Sequence, residues 1–170
     1  MDFIKKIFSK SSEIKIPKWF FVTGLILVCI GLINAAYLTY SHYQISYDSF
    51  CPVTAEGYGD CHDVTNSEYS VILGVPLAVL GVLYYISVLF VLIILWKKKK
   101  ECLLWLLSVV TSLGLLFSIW LVYLQLWVLQ AICPYCMLSA LVSVLLFVLD
   151  VVFIFQSKKI KSNLYEYKKA

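Results

Sequence analysis

The chain contains no arginine; all fourteen of its basic residues are lysines. Charge of either sign is scarce, at 14% of residues, where soluble domains carry about 25%. What charge there is falls in clusters, and a net +4 arranged this way is not expected to serve nucleic-acid binding. Low-complexity tracts and clear internal repeats are also missing, so the sequence reads as one domain. What replaces the missing charge is apolar: 62% of the 170 residues are hydrophobic, against about 45–50% in ordinary globular chains. A soluble domain of this size cannot hide that much apolar surface, so the natural solvent is a bilayer.

Runs without charge mark the spans. Trp19–Tyr40 holds 22 such residues, 28 lie between Glu68 and Lys97, and 48 lie between Glu101 and Asp150. About 20 residues of helix cross the hydrocarbon core, so the last run holds two helices. It is expected to break near Gln125–Ile132, where two glutamines, nearby tryptophans and Pro134 interrupt the pattern. The expectation is an all-α membrane protein, a bundle of four transmembrane helices at 19–40, 72–96, 102–125 and 132–155. Each helix satisfies its own backbone. Lysine sets the orientation. Lysines precede helix 1 (Lys5 to Lys18), join helices 2 and 3 (Lys97 to Lys100) and follow helix 4 (Lys158 to Lys169), and none lies in 41–70 or 125–132. The positive-inside rule then puts both termini and the lysine hairpin in the cytoplasm of a multi-pass cell-membrane protein. The 41–70 loop, with five acids and no base, faces outward. This divides the chain into a basic segment 1–18, a membrane domain 19–155 and a basic cytoplasmic tail 156–170. The apolar run continuing through Tyr40 favours a retained span over a cleaved signal peptide. Phe3, Ile4, Ile7 and Phe8 among the first lysines suit either an inner-surface helix or a solvated tail.

This layout sorts the six cysteines. Cys51 and Cys61 lie in the outer loop, Cys133 and Cys136 at the outer end of helix 4, Cys29 within helix 1 and Cys102 at the inner end of helix 3. The last two are expected only to pack. In Cys133-Pro134-Tyr135-Cys136 the thiols fall on one face of a helical turn, close enough to bridge. Pro134 suits a first turn, and the helix N-terminus lowers the pKa of one thiol and favours its thiolate. Met137 stands where covalent haem attachment needs histidine, which excludes that chemistry. Three readings stay open on the residues alone. The pairs could be static disulfides in a structural membrane protein. Cys51, Cys61, Cys133 and Cys136, or His62 as a substitute, could hold zinc, although nine residues separate the loop pair where close spacing is usual. Or the pairs could form a relay, the loop pair meeting a protein in water and the helix pair a lipid-soluble electron carrier.

Cys61-His62-Asp63-Val64-Thr65-Asn66-Ser67-Glu68-Tyr69-Ser70 followed by Gly74-Val75-Pro76, then Cys133-Pro134-Tyr135-Cys136 with Ser139-Ala140, and Gly31, Tyr37-Leu38-Thr39 and His42, together resemble the vitamin K epoxide reductase family. The likeness covers roughly 20–155, and the order, with the loop pair first and CxxC last, makes it specific. The resemblance implies four helices and a short amphipathic helix over Val64–Ser70. It implies a Cys51–Cys61 disulfide attacked by a partner at Cys51, exchange of Cys61 with Cys133, and Cys136 facing a quinone of menaquinone or ubiquinone type in a pocket between the outer helix ends. Ser70, Ser139 and Asn34 are expected around that pocket. Asn34 and Thr39 also suit hydrogen bonds between helices. Trp120, Tyr123 and Trp127 are expected as interface anchors or ring contacts, and Gly24, Gly31, Gly74 and Gly81 as close-packing points. Vertebrate members carry tyrosine where this chain has Ala140, which implies a simple quinone rather than an epoxide as acceptor. The chain ends at Ala170 without a thioredoxin-like domain, so the partner is expected to be a separate extracytoplasmic thioredoxin-fold protein. The expected function is therefore a membrane thiol:quinone oxidoreductase that makes disulfides in that partner, with no metal.

Overall fold

The computed structural model describes residues 14–43, 71–72, 75–130 and 132–169, with side chains as far as Ser157 and none at 71–72. Among the described residues four helices are long and apolar enough to cross a membrane. They are α1 (Lys18–Tyr43), α2 (Leu77–Lys98), α3 (Glu101–Tyr123, continuing as a π-helical turn Leu124–Leu129) and α4 (Pro134–Lys169). Two short strands, β1 (Val71–Ile72) and β2 (Val75–Pro76), pair antiparallel just before α2, Val71 opposite Pro76. The helices close a ring in which α1 packs on α2 and α4, and α3 on α2 and α4.

The bundle is apolar outside and selectively polar inside. Ile33, Phe90, Leu116 and Phe155 are each at least 64% exposed, while Asn34, Thr111, Gln125, Ser143 and Asp150 are buried. An apolar outer surface of this extent suits helices whose outer faces meet lipid. Trp120, Tyr123 and Trp127 are all on the outside, with Tyr123 and Trp127 stacked at 5.4 Å. That placement makes them surface aromatics rather than contacts of the interior.

The tight core lies toward the lysine end. Phe20 stacks on Phe153 at 4.3 Å and Phe21 on Trp96 at 4.6 Å. Lys99, left-handed at φ 48°, closes the α2–α3 hairpin, its N–H reaching Leu95 O at 2.8 Å. Its carbonyl accepts the Ile14 N–H at 2.8 Å, which seats the buried Ile14 against the bundle. Further along, adjacent tyrosines of α2 wedge apart their neighbours. The Tyr85 ring fills the space above Gly31 of α1, and the Tyr84 ring that above Gly114 of α3. A Cβ at either glycine would overlap the ring, so among the described residues these are the two positions where only glycine fits. Gly24 and Gly81 also face neighbouring helices, at Leu92 and Ala35, in looser contact.

Three boundaries differ from those expected from hydropathy. Helix 2 starts at Leu77 rather than 72, because Pro76 (φ −59°, ψ 137°) is extended and disfavours helix before it. The third span runs past 125 to Leu129, and the break comes at Gln130, left-handed at φ 49°. The fourth starts at Pro134 and runs unbroken to Lys169 rather than ending at 155, since lysines end the membrane but not the helix. Cys51, Cys61, His62, Ser70 and Gly74, most of the 41–70 loop and the amphipathic helix expected over Val64–Ser70 lie outside the described residues, as does most of the 1–18 segment.

Candidate functional site

Cys133 is the last residue before α4. Pro134, Tyr135 and Cys136 are its first turn, and Met137 N–H bonds Cys133 O at 3.0 Å. The first N–H groups of a helix have no partner within it. Here the Cys136 N–H finds one in Cys133 Sγ at 3.4 Å, so the first cysteine of the motif caps the helix through sulfur, as a serine does through oxygen. Pro134 spends the position that needs no donor.

The two thiols differ in surroundings. Cys133 is fully buried among Leu38 of α1, Ala78 of α2 and Leu129 of α3. The Cys136 thiol donates to it, and this bond, with the Cys136 and Tyr135 N–H groups, holds Cys133 down to about 7, against the burial that pushes it up. Cys133 is thus the sulfur on which negative charge is best placed. Cys136 is half-buried and faces a cavity. Both are free thiols, so this is the reduced form of the motif.

The cavity has a volume of about 520 Å³ and takes wall from all four helices at the cysteine end. Ala35, Leu38 and His42 come from α1, Leu80, Gly81, Tyr84 and Tyr85 from α2, Leu113, Gly114, Phe117, Ser118, Leu121, Leu124, Gln125 and Leu129 from α3, and Cys136, Ser139, Ala140 and Ser143 from α4. A mostly apolar wall with a few convergent polar groups is the form of a site for a small apolar ligand. A quinone headgroup, flat and apolar with two carbonyl acceptors, fits both the size and the lining.

Of the residues expected around the ligand, Ser139 lines this cavity and Ala140 stands beside it. Asn34 stands one step behind. Its Nδ2 donates to Ser139 Oγ at 2.7 Å and to Tyr135 O at 2.8 Å, pinning α1 to the start of α4. Thr39, expected to bridge helices, instead bonds Ala35 O of its own helix at 2.8 Å. Cys51, Cys61 and Ser70 lie outside the described residues, so the structure does not relate the loop pair to the CxxC. Three residues gained no role from sequence reasoning. The Tyr85 hydroxyl donates to Ser139 O at 3.0 Å. Gln125 Oε1 accepts the Cys133 N–H at 3.1 Å. Asp150 is buried beside Thr111, whose Oγ1 lies 3.4 Å from its Oδ2. A glutamine or an aspartate inside an apolar run was the available signal, because each must find a polar partner there.

Comparison with known proteins fits this geometry. The thiol-disulfide oxidoreductase LTO1 of Arabidopsis thaliana is 48% identical over 54 residues, which is 32% of this chain and 13% of that protein. The chain therefore matches only a small part of that relative's length. A sequence model of the vitamin K epoxide reductase family matches residues 22–151, from the first turns of α1 to the lower part of α4. With the match running through all four spans and the CxxC turn, the chain belongs to the vitamin K epoxide reductase family.

Proposed function

We propose that the chain is a thiol:quinone oxidoreductase that makes disulfides in a separate thioredoxin-fold protein outside the cytoplasmic membrane. The observation that carries this reading is the split environment of one CxxC: Cys136 opens on a 520 Å³ apolar cavity while Cys133, one turn away, is buried behind it. The split supports a reading in which Cys136 serves a lipid-soluble acceptor and Cys133 exchanges with protein sulfur. The lysine distribution supports termini in the cytoplasm and cysteines on the outer face.

The relay balances. A thiolate of the reduced partner attacks Cys51 of a Cys51–Cys61 disulfide and leaves Cys61 as thiolate. Cys61 attacks Cys133 of a Cys133–Cys136 disulfide and frees Cys136. The partner's second thiol closes the partner disulfide and releases Cys51, which retakes Cys61 and releases Cys133. Each step needs a thiolate and a good leaving sulfur, and the lowered Cys133 is a good leaving group. Cys133 and Cys136, now a dithiol, pass two electrons and two protons to the quinone and close again to a disulfide. A bound quinone, of menaquinone or ubiquinone type, supplies the electron sink; the chain's part is to hold the ring beside Cys136 and keep water out. Ser139 is the expected polar contact in the described wall and Ser70 in the loop, with Ala140 leaving room that a tyrosine would take.

Stopped-flow reduction of a short-chain quinone by purified protein and a dithiol tests this. Cys136→Ala is expected to abolish quinone reduction, and Cys51→Ala to abolish only the protein-linked reaction. A Cys136→Ala protein that still reduces quinone at the parent rate overturns the assignment.

A further inference from the structure

The cavity wall contains a polar group that the relay leaves unused. Gln125 lies in the π-helical turn at the end of α3, is 4% exposed and lines the cavity together with Cys136. Single π turns within helices are often found at functional sites. The backbone N–H of Cys133 can face only the oxygen of the Gln125 amide, so that bond, at 3.1 Å, fixes which end of the amide is which. Nε2 keeps both hydrogens, with no acceptor among the described residues.

The Tyr84 hydroxyl in the same wall has no hydrogen-bond partner among the described residues, but other polar groups there are already committed. The Tyr85 hydroxyl and Ser143 Oγ both donate to Ser139 O, at 3.0 and 3.1 Å, and Ser139 Oγ receives Asn34. Serine hydroxyls also rotate, whereas a planar amide held at one end aims its other end. Gln125 is thus a directional donor beside Cys136 in an apolar chamber. What suits it is an acceptor on a flat apolar ring.

We propose that Gln125 binds one carbonyl oxygen of the quinone through Nε2 and so sets the ring against Cys136. This rests on the reading of the cavity as the quinone site. A donor fixed there also stabilises the negative charge that grows on that oxygen as electrons arrive. Because the same amide holds the Cys133 N–H, one side chain registers the ring to the CxxC turn.

The test uses the full-length protein in detergent or nanodiscs with a short-chain 1,4-naphthoquinone carrying ¹³C at its carbonyls. Infrared difference spectra of the oxidised protein report the bound carbonyls without turnover. In the parent protein one carbonyl band is expected below its free position. Gln125→Met, of similar volume, is expected to return that band to the free position and to lower kcat/KM for quinone about tenfold, the effect of losing one net hydrogen bond. Gln125→Glu keeps an oxygen for the Cys133 N–H but loses the amide donor. With its carboxyl ionised it has no donor, and it is expected to change the band in the same way. It decides the matter if the methionine variant does not fold. A shifted band that survives both substitutions overturns the proposal alone. A parent protein with no bound-quinone band overturns the relay reading and the proposal with it.

Discussion

The backbone N–H of Cys136 points at the sulfur of Cys133, 3.4 Å away, so the first thiol of the motif caps the helix that carries the second. A cap is better when it is negative, because the N-terminal end of a helix is the positive end of its dipole. The reduced motif therefore has a preferred place for charge, and that place is the buried sulfur rather than the one on the cavity.

A pH titration of the reduced protein should show this. Ultraviolet thiolate absorbance is expected to rise with a midpoint of about 7 and to lose that component in Cys133→Ala. In Cys136→Ala the midpoint should move up toward the ordinary thiol range, since the Cys136 thiol is the leading donor to Cys133. The linked stability has a definite sign. A thiol lowered on folding contributes stability at a pH above the unfolded thiol value, and that contribution is lost as pH falls through about 7. Thermal melts of the reduced protein should be higher at mildly alkaline than at mildly acidic pH.

Gly114→Ala and Gly31→Ala are expected to destabilise the fold by about 1–3 kcal/mol each, the usual cost of overpacking. In both, the new Cβ meets a tyrosine ring held on a helix rather than the end of a flexible chain. Gly81→Ala is the control: its Cβ would meet Ala35 at 3.5 Å, an ordinary contact, and its melting temperature should stay near the parent value.

Asn34→Ala should lower stability by about 1–3 kcal/mol, because it removes two hydrogen bonds between α1 and the start of α4. Thr39→Val, which loses only a bond within α1, is expected to be nearly silent. Equal melting temperatures for the two variants would contradict the pinning role.

Asp150→Leu is expected to leave stability unchanged or raised. Asp150 Oδ1 is buried without a partner, and the carboxyl meets only hydroxyls, Thr111 at a long 3.4 Å and Ser108, with no cation beside it among the described residues. Thr111 keeps Ser108 O at 3.1 Å after the substitution. A marked fall in melting temperature would show that the carboxyl has a role beyond this contact.

The spans were legible because hydrocarbon permits few charges, and the uncharged runs around Trp19–Tyr40 and before Lys97 report that directly. The CxxC at a helix start was legible from Pro134. The start of helix 2 was not, since Val71–Pro76 is as apolar as a helix and only the backbone restriction before Pro76 ends it. Hydropathy also misplaced the end of α4, because it senses the solvent and not the hydrogen-bond ladder. Gln125 was visible as a polar interruption, but its partner was not. Whether its amide meets Cys133, eight residues on, depends on how the chain turns at Gln130. Asp150 was taken only as the end of an uncharged run, and its partner Thr111 lies 39 residues away.

The buried apolar cluster that runs from Ile14 through Leu95 and Leu104 to Phe153 stops near Tyr85, and beyond it, among the described residues, Leu38 and Cys133 form a small separate cluster beside the cavity. The described bundle is thus solid at the lysine end and holds its cavity at the cysteine end. In the proposed relay, closing the Cys133–Cys136 disulfide moves sulfur at the cavity end. Tyr85 belongs to both parts, packed in the apolar cluster and bonded to Ser139 O in the cavity wall, so it is the joint through which a change at the cysteines would reach the core.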